Sequence, residues 1–322
     1  MRLLIVIVNY KTAGLTVDCL ASLEAQVDPS RDRVVVIDNA SGDGSHEAIR
    51  DAIEGRGWSS WALAEETPGN DGFAAGNNFG IEVGRSQWGR FESTLLLNPD
   101  TVVRPGALST MLGFMADHPD AALLGSRLEH LDGTPQESAF RFPSIFSCFE
   151  EGVRFGPISR LLRGRIVAMP VAEAPHRAEW LCGASLMIRD DVFERIGLLD
   201  DQYFMYFEET DFCLAARRAG FEAWYVPEAR IVHLVGKSSG VTSKHDGDGP
   251  ARRRPAYWFE SRRRYFVKNH GRVGAMLADA AWIVGFGLHR LRQRLMRRPD
   301  RDPQHLLADS IRQSVFCRGF KV

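Results

Sequence analysis

Three carboxylates lie within four positions at Glu208, Glu209 and Asp211, directly after the aromatic residues Tyr206 and Phe207. Like charges this close together raise the pKa of at least one carboxyl group, and a partly apolar wall raises it further. A carboxylate with a raised pKa can act as a general base and take a proton from a hydroxyl group near neutral pH. The same pattern is typical of an acidic helix N-terminus, which the helix dipole favours. Adjacent Glu208 and Glu209 cannot both face one site from a helix, so we expect only one of them to act.

A second candidate site is the tripeptide Asn98-Pro99-Asp100, which ends a run of apolar residues. A carboxylate at the end of a buried strand can hold Mg²⁺ or Mn²⁺, since both ions prefer oxygen ligands and keep several waters. The alternative is that the tripeptide is only a turn. His233, in a polar loop after residues 230–232, is a candidate nitrogen ligand to the same ion, although a lone histidine is more often structural.

Polar residues also end two earlier apolar runs, with Asn9 after the first and Asp38-Asn39 after the second. Asp38 can accept a hydrogen bond from a base ring N–H or a ribose hydroxyl, as the acidic residue of dinucleotide-binding folds does. Alternatively, it can cap the turn at residues 38–41.

A glycine- and asparagine-rich segment precedes another helix, with glycines at Gly72, Gly76 and Gly80. The spacing matches neither GxGxxG nor a Walker loop. Backbone amides at such a helix start can receive a phosphate. Alternatively, the glycines let the helix pack closely on the sheet.

These residues must be positioned by alternating strands and helices. Continuous apolar runs at residues 3–8 and 34–37 are typical of strands buried on both faces. The alternation predicts an α/β fold with a mostly parallel sheet and helices on both faces. Ligands of such sheets bind beyond the carboxyl ends of the strands, where Asn9, Asp38 and Asp100 are expected. Later segments predict strands at 58–64, 180–188 and 222–226, helices at 190–196 and 209–219, a loop-rich region at 140–170, and a helix from about residue 257.

Composition limits the classes of protein that this chain can represent. With 322 residues, 44% apolar and 25% charged, it is typical of a soluble globular protein. Five scattered cysteines without a CxxC pair argue against a disulfide framework or a cysteine-rich zinc site, and favour a cytoplasmic setting. The apolar run at 280–288 has nine residues, whereas a spanning helix needs about 20. The N-terminal run is too short for a secretory signal.

Charge is distributed unevenly along the chain. Residues 251–322 hold 17 Lys and Arg against 5 Asp and Glu, a balance of +12, so the remainder is acidic. We therefore expect a catalytic domain at 1–245, with halves at 1–125 and 126–245, and a basic helical tail at 246–322. An apolar, arginine-flanked tail suits an anionic membrane surface, a lipid diphosphate or a second copy of the chain in a homo-oligomer. Alternatively, it is a packing helix with a solvated basic end. Nucleic acid is not expected as a partner because the body is acidic and has no recognition module.

The order of these motifs resembles the family-2 inverting glycosyltransferases, and most closely their rhamnosyltransferase-like branch. The resemblance covers residues 3–240 and rests on Val-Asn-Tyr-Lys at 8–11, Val-Ile-Asp-Asn-Ala-Ser at 36–41, Asn-Asp-Gly-Phe-Ala-Ala-Gly-Asn-Asn at 70–78, Leu-Asn-Pro-Asp at 97–100, Gly-Ala-Ser-Leu-Met-Ile-Arg at 183–189, Phe-Met-Tyr-Phe-Glu-Glu-Thr-Asp at 204–211, and His233 with Gly-Lys-Ser at 236–238.

The resemblance implies a GT-A fold, a nucleotide-sugar donor and a Mg²⁺ or Mn²⁺ ion. It makes Glu209 the catalytic base, Asp100 and His233 the metal ligands, and Asp38 the partner of a pyrimidine. Asn98 stands where the family has its first acidic metal-motif residue, so Asp100 carries the metal largely alone. The donor-binding residues expected on this basis are Asn9, Asp38, Asn39, Gly72, Asn77 and Asn98, and those expected near the acceptor are Trp180, Glu208 and Asp211.

The expected reaction is transfer of a sugar to a hydroxyl of a glycan or lipid-linked glycan in surface polysaccharide synthesis, at the inner face of the membrane. Branch resemblance favours deoxythymidine-diphosphate rhamnose as donor, with a uridine-diphosphate sugar as the alternative. Two other classes stay open. A nucleotidyltransferase would need a glycine- and lysine-rich phosphate loop, which residues 8–14 lack. A non-catalytic nucleotide-sugar-binding protein would bind the donor without transfer.

Overall fold

A computed structural model describes residues 1–234 and 253–322 of the chain. The predicted loop at 236–250, the Gly-Lys-Ser motif at 236–238 and Arg252 lie outside these residues. The described chain divides into two compact units. The sheet unit contains Met1–Phe140, Pro170–Phe204 and the residues from Glu208 to Leu234, and the helical unit contains Arg141–Met169, Met205–Phe207 and residues 253–322.

The strands all belong to the sheet unit. They are β1 Leu3–Asn9, β2 Asp32–Asp38, β3 Ala62–Glu66, β4 Ser93–Leu97, β5 Thr101–Val103, β6 Ala121–Glu129, β7 Ala139–Phe140, β8 His176–Ala178, β9 Trp180–Leu181, β10 Ser185–Arg189 and β11 Glu222–His233. β7 and β9 form a separate pair, and the other nine form one sheet in the order β3-β2-β1-β4-β10-β6-β11-β5, with β8 on β11.

The helices are divided between the units. The sheet unit holds α1 Ala13–Leu23, α2 Ser45–Gly55, α3 Phe73–Trp88, α4 Ala107–Asp117, α7 Asp190–Ile196 and α8 Glu208–Arg218, and the helical unit holds α5 Ile145–Val153, α6 Gly156–Leu161, α9 Ala256–Leu295, α10 Leu306–Gln313 and α11 Val315–Arg318.

The predicted α/β fold with a mostly parallel sheet is confirmed. β1 pairs in parallel with β2 and with β4, so that Ile5 lies opposite both Val34 and Leu95. All seven residues of β1 are buried, as expected for a strand covered on both faces. β10 runs antiparallel between β4 and β6. This insertion brings a segment from late in the chain to the carboxyl end of β4.

Glycines let α3 lie close against β1. A Cβ atom added to Gly76, Gly80 or Gly84 would come within 2.9 Å or less of a side-chain atom of Val8, Val6 or Leu4, respectively. The four-residue spacing places the three glycines on one face of the helix. Gly76 and Gly80 therefore serve close helix–sheet packing, one of the two interpretations of the glycine-rich segment.

Several predicted elements differ from the structure. Residues 58–60 form a 3-10 helix before β3, because Trp58 is buried against Trp61 instead of joining the sheet. The predicted strand at 180–188 is broken at residues 182–184 into β9 and β10. The predicted strand at 222–226 continues to His233, since its pairing with β6 resumes after a register shift between Val226 and Arg230.

The region read as loop at 140–170 contains α5 and α6. Ser144 caps α5 by accepting a hydrogen bond from the Ser147 N–H, and Ser147 Oγ accepts one from the Ser144 N–H. This is a capping box with serine in place of the usual Glu or Gln, which explains why the sequence pattern was missed.

α9 dominates the helical unit and packs against α5. A Cβ on Gly152 would lie 2.7 Å from the Trp282 carbonyl oxygen, and one on Gly285 would lie 2.7 Å from the Phe149 carbonyl oxygen. The backbone leaves helical geometry at Gly271, with φ 69° and ψ 180°. Among the described residues, α9 alone is long and apolar enough to cross a membrane, and 33% of its most apolar window is buried inside the protein.

Candidate active site

The carboxyl end of β4 meets the break between β9 and β10. Leu97 lies opposite Ser185, and the Asn98 N–H donates to the Ala184 carbonyl oxygen at 3.0 Å. The chain therefore brings residues 98–100 beside residues 182–184, although more than 80 positions separate them in sequence.

Asp100 and His233 come together at this end of the sheet. His233 Nε2 lies 3.6 Å from Asp100 Oδ1, and the side chains are 14% and 0% exposed. His233 is opposite Thr101 in the β5–β11 ladder, and the Leu234 N–H donates to the Asp100 carbonyl oxygen at 2.9 Å. The prediction that His233 lies in a polar loop was wrong: it is the last residue of β11, and the ladder holds it beside Asp100.

A buried carboxylate fixes the register of this ladder. Glu129 is fully buried and accepts hydrogen bonds from Arg104 Nε at 2.9 Å and Arg230 Nε at 2.8 Å. Arg230 is the first residue to pair with β6 after the irregularity that follows Val226. Since a slip of one residue would turn His233 to the other face of the sheet, the Glu129 contacts help to keep the imidazole near Asp100.

Glu208 and Glu209 begin α8 and have perturbed acidities. Burial raises the pKa of Glu208 well above its ordinary value, and the charge of Glu209 adds to the effect. Burial also raises the pKa of Glu209, while the backbone N–H groups of Glu209, Gly183 and Thr210 partly offset the increase. In both side chains Oε2 is buried and has no hydrogen-bond partner in the described structure.

Cys182 lies among the acidic groups. Burial raises the pKa of its thiol to about 12, and the charges of Glu209, Asp100 and Glu208 contribute to the increase. All three carboxylates therefore act on the same sulfur. Glu209 also lies next to Gly183, whose missing side chain leaves space beside Oε1. Asp100 and Glu209, which the sequence placed far apart, share one neighbourhood.

Asp211 and Trp180, also predicted near the acceptor, lie on α8 and β9. Asp211 is buried in the first turn of α8. Trp180 in β9 stacks on Phe140 of β7, with ring centroids 4.1 Å apart. Just before α8, Tyr206 and Phe207 both have positive φ, near 70°, which is unfavourable for bulky side chains.

A polar cluster joins the ends of β1 and β2. Asp38 accepts hydrogen bonds from Asn9 Nδ2 at 2.5 Å, from Ser41 Oγ at 2.6 Å and from the Ser41 N–H at 2.9 Å. Asn9 Oδ1 in turn accepts from the hydroxyls of Thr12 and Thr16, both at 2.9 Å. Thr12 thus occupies the N-cap of α1 without capping it through its side chain. Asn9 and Asp38 are both buried.

Asn39 connects this cluster to the glycine-rich segment. Its Nδ2 donates to Asn70 Oδ1 and to the Gly72 carbonyl oxygen, both at 3.0 Å. Gly72 has φ 97°, and a Cβ on it would come within 2.0 Å of the Phe204 carbonyl oxygen. Gly72 is therefore required for a close backbone approach.

Asn77 and Asn98 are the remaining residues that were predicted to bind the donor. Asn77 is buried on α3, where Nδ2 donates to the Phe73 carbonyl oxygen at 2.8 Å and Oδ1 has no hydrogen-bond partner in the described ranges. Asn98 is half-buried, two residues before Asp100.

Comparison with known proteins identifies the family. The model of the family described as "Glycosyl transferase family 2" matches residues 4–167. The chain belongs to glycosyl transferase family 2. The match covers β1 to β6 and the polar ends of β1, β2 and β4, but stops before Cys182, Glu209 and His233.

Two curated relatives extend the comparison of this family-2 chain. An N-acetylglucosaminyl-diphospho-decaprenol L-rhamnosyltransferase of Mycobacterium tuberculosis is 30% identical over 149 residues, which is 45% of this chain and 48% of the relative. The low-salt glycan biosynthesis hexosyltransferase Agl10 of Haloferax volcanii is 29% identical over 217 residues, 66% of this chain and 61% of the relative. The chain thus spans about half to three-fifths of the length of these relatives.

A solved structure supports the fold assignment of this family-2 chain. The mannosyltransferase PcManGT from Pyrobaculum calidifontis, solved in complex with GDP-Man and Mn²⁺, has a TM-score of 0.58 at 14% identity, covering 92% of this chain and 75% of the other. At this identity the similarity concerns the fold alone. The predicted GT-A fold is confirmed.

The donor set of this family-2 site limits the metals that it suits. In the part of the chain that the structure describes, no three His, Cys, Asp or Glu side chains gather into a metal site. Asp100 and His233 offer one carboxylate and one imidazole. A structural zinc ion needs four protein ligands. The pair instead fits an ion that completes its shell with water and substrate oxygens, as Mg²⁺ does and as oxygen-preferring Mn²⁺ can do.

Sequence reasoning missed Cys182, Gly183 and Glu129 as parts of the site. Gly183 interrupts an apolar run, which is a signal for a bulge or a close approach. Glu129 ends the strand-like run at 121–128, and a carboxylate in that position needs a cation. No sequence signal pairs it with Arg104 and Arg230.

Proposed function

We propose that this chain is an inverting glycosyltransferase that moves a sugar from a nucleotide-diphosphate donor to an acceptor hydroxyl. The observation that carries the proposal is the position of Glu209. Its carboxyl group has a raised pKa, an oxygen without a partner, and Asp100 in the same neighbourhood through Cys182. A base of raised pKa in the same neighbourhood as a candidate metal carboxylate can take a proton from a hydroxyl group while a bound ion offsets the charge on a leaving diphosphate.

The reaction is a single displacement. Glu209 accepts the proton of the acceptor hydroxyl as that oxygen bonds to the anomeric carbon. The bond between the anomeric carbon and the diphosphate oxygen breaks, and the nucleoside diphosphate leaves with the electron pair. Attack from the face opposite the leaving group inverts the configuration at the anomeric carbon.

Asp100 and His233 are the residues that would hold a divalent ion. When bound, the ion offsets the charge that develops on the leaving diphosphate. Glu129 maintains the register that keeps His233 beside Asp100. The Asn9, Asp38 and Asn39 cluster, with Gly72, Asn77 and Asn98, forms the nucleoside side of the site.

The favoured donor is deoxythymidine-diphosphate rhamnose, with a uridine-diphosphate sugar as the alternative. The mycobacterial relative is named as an L-rhamnosyltransferase, which supports rhamnose. Its name also contains a diphospho-decaprenol, which supports a lipid-linked glycan as the acceptor. An enzyme using such an acceptor for surface polysaccharide works in the cytoplasm, at the inner face of the membrane.

The first experiment screens the purified chain with a panel of nucleotide sugars and Mn²⁺ by thermal shift. A ligand that binds only the native state raises the free energy of unfolding, and the increase grows with the logarithm of the ligand concentration divided by its dissociation constant. We expect the largest shift with deoxythymidine-diphosphate rhamnose. A larger shift with another donor would replace rhamnose in the proposal.

The second experiment compares Glu209→Gln with Glu228→Gln, a control at an exposed glutamate of the same unit. Loss of the general base should lower turnover by about 10²- to 10⁴-fold, while donor binding is retained. The control should match the wild type. Full turnover by Glu209→Gln would remove Glu209 from the role. Donor binding without transfer or donor hydrolysis by the wild type would instead favour the non-catalytic alternative.

A further inference from the structure

The helical unit has an exposed apolar surface that the transfer reaction does not use. After the break at Gly271, α9 exposes six aliphatic side chains to between 48% and 76% of their area. They are Val273, Leu277, Val284, Leu288, Leu291 and Leu295, which we call the apolar stripe. At 3.6 residues per turn, the six positions fall within an arc of about 60°.

The apolar stripe lies opposite the packed face of α9. Ala278, Trp282, Phe286 and His289 are buried, and they project about 120° to 180° away from the stripe. One face of the helix therefore forms the core with α5, while the other presents a continuous row of aliphatic groups to solvent. Monomeric soluble proteins rarely expose large contiguous apolar patches, and such patches commonly mark an interaction site.

Arginines border the stripe. Arg272, Arg290 and Arg294 lie on one side of it, and Arg297 and Arg298 follow at its end. Arg290, Arg294 and Arg298 line one surface groove together with Leu291, Gln293 and Asp300. The only acidic residue between positions 271 and 298 is Asp279, which is buried and paired with Arg262. Arg290 is partly neutralised by Asp300, whereas Arg294 is exposed.

The arginines beside the apolar stripe indicate which class of partner this face of α9 binds. Two copies of this face brought together would oppose arginine to arginine, because Asp300, the carboxylate that lines the groove, already pairs with Arg290. An anionic membrane surface supplies both a hydrocarbon boundary for the stripe and phosphates for the arginines.

We propose that this face of α9 binds an anionic membrane surface, with the helix lying in the plane of the interface. Spanning the membrane would strip Trp282 and Phe286 from their contacts with α5 and expose the Arg262–Asp279 pair to hydrocarbon, which is costly. The inference rests on the proposed function in one respect: a lipid-linked acceptor would explain why the enzyme binds a membrane. Membrane binding itself does not depend on transfer.

The test is co-sedimentation of the full chain with phosphatidylglycerol–phosphatidylcholine vesicles and with phosphatidylcholine vesicles. We expect binding to the anionic vesicles, weakened by added salt. The double variants Leu288→Ser/Leu291→Ser and Arg294→Glu/Arg298→Glu should each bind at least about tenfold more weakly. Controls with matched chemistry are Leu131→Ser and Arg50→Glu, which are exposed in the sheet unit and should bind like the wild type.

Three results would overturn the proposal. One is equal binding by the wild type and both double variants. Another is absence of binding to anionic vesicles together with a concentration-dependent dimer that the stripe variant abolishes, which would assign the face to a second copy. The third is resistance of the bound protein to alkaline extraction, which would indicate a spanning helix.

Two further measurements separate this test from that of the proposed function. Circular dichroism and transfer to a water-soluble acceptor should be unchanged in the double variants, so that loss of binding is not loss of folding. If no protein transfers sugar but vesicle binding follows the expected order, the proposed function fails and the membrane surface stands.

Discussion

Two polar clusters at the same edge of the sheet are built in opposite ways. In the cluster of Asn9, Asp38 and Ser41, the carboxylate is surrounded by donors from its own chain. In the cluster around α8, Glu208 and Glu209 are buried but keep an oxygen without a partner in the described structure. The first cluster is complete without a ligand, whereas the second is not.

The difference appears in the acidity of the groups. Burial without sufficient hydrogen bonds disfavours the charged form of a carboxyl group and raises its pKa, as at Glu208 and Glu209. A buried group left unsatisfied costs stability, and such costs are usually found where function requires them. The first cluster is therefore held together by its own hydrogen bonds, whereas the second has the properties expected of a reaction centre.

The largest effect is expected from Asp100→Asn. If Asp100 and His233 hold a divalent ion, loss of the Asp100 carboxylate should lower turnover by about a hundredfold or more. It should also raise the Mn²⁺ concentration needed for half-maximal rate. Activity measured over a range of Mn²⁺ and Mg²⁺ concentrations gives both quantities. Asp117→Asn, at the exposed end of α4, is the control. Unchanged metal dependence in Asp100→Asn would remove Asp100 from the metal site.

The complete cluster should instead respond in stability. Asp38→Ala leaves the Ser41 N–H, the Ser41 hydroxyl and the Asn9 amide without their acceptor in a buried position. We expect a loss of about 2–3 kcal/mol in the free energy of unfolding, measured by urea denaturation.

Asp43 provides a matched control for Asp38. It accepts the same two hydrogen bonds from Ser45 that Asp38 accepts from Ser41, but it is exposed. Asp43→Ala should therefore cost less. Equal losses in the two variants would show that burial of the first cluster contributes nothing.

The smallest effect is expected from Glu208→Gln, which should increase the free energy of unfolding, whereas Asp38→Ala should lower it. The folded-state pKa of Glu208 is raised. The contribution of this carboxyl group to the free energy of unfolding is therefore fully present below the unfolded-state pKa and is lost as pH rises through the folded-state pKa. Glutamine cannot ionise, so the variant should gain stability relative to the wild type as pH rises. The gain should be smaller than the loss expected for Asp38→Ala.

Denaturation at several pH values tests the Glu208→Gln prediction, with Glu228→Gln as the exposed control. The pH–rate profile adds a second readout. Activity should fall as pH drops through the raised pKa of Glu209, and the fall should keep its position in Glu208→Gln, because burial and not the charge of Glu208 raises the pKa of Glu209. A stability difference that does not change with pH would contradict the raised pKa of Glu208.

The positions of polar residues at strand ends were the part of the site that the sequence predicted best. Asn9, Asp38 and Asp100 follow apolar runs, and the rule for parallel sheets predicts that such positions share one edge. The neighbourhood of Asp100 and Glu209 was predicted from family resemblance, and the structure relates the two through Cys182. Their roles in binding and catalysis stay predictions.

Other features depend on long-range pairing that a sequence pattern does not contain. The antiparallel insertion of β10 beside β4 brings Cys182 and Gly183 to the site, and no local periodicity signals it. The place of His233 depends on a register shift within β11 and on contacts of Glu129 with two distant arginines. α5 was missed because its serine capping box lacks the usual Glu or Gln.

The close approach at Gly72 has a consequence for motion. The Phe73 N–H donates to the Phe204 carbonyl oxygen at 2.7 Å, and Asn78 exchanges two hydrogen bonds with the backbone of Leu199. The start of α3 is thus fastened at two points to the segment that precedes α8. Movement of the start of α3 would therefore also displace residues 199–204, which lie just before Glu208 in the chain.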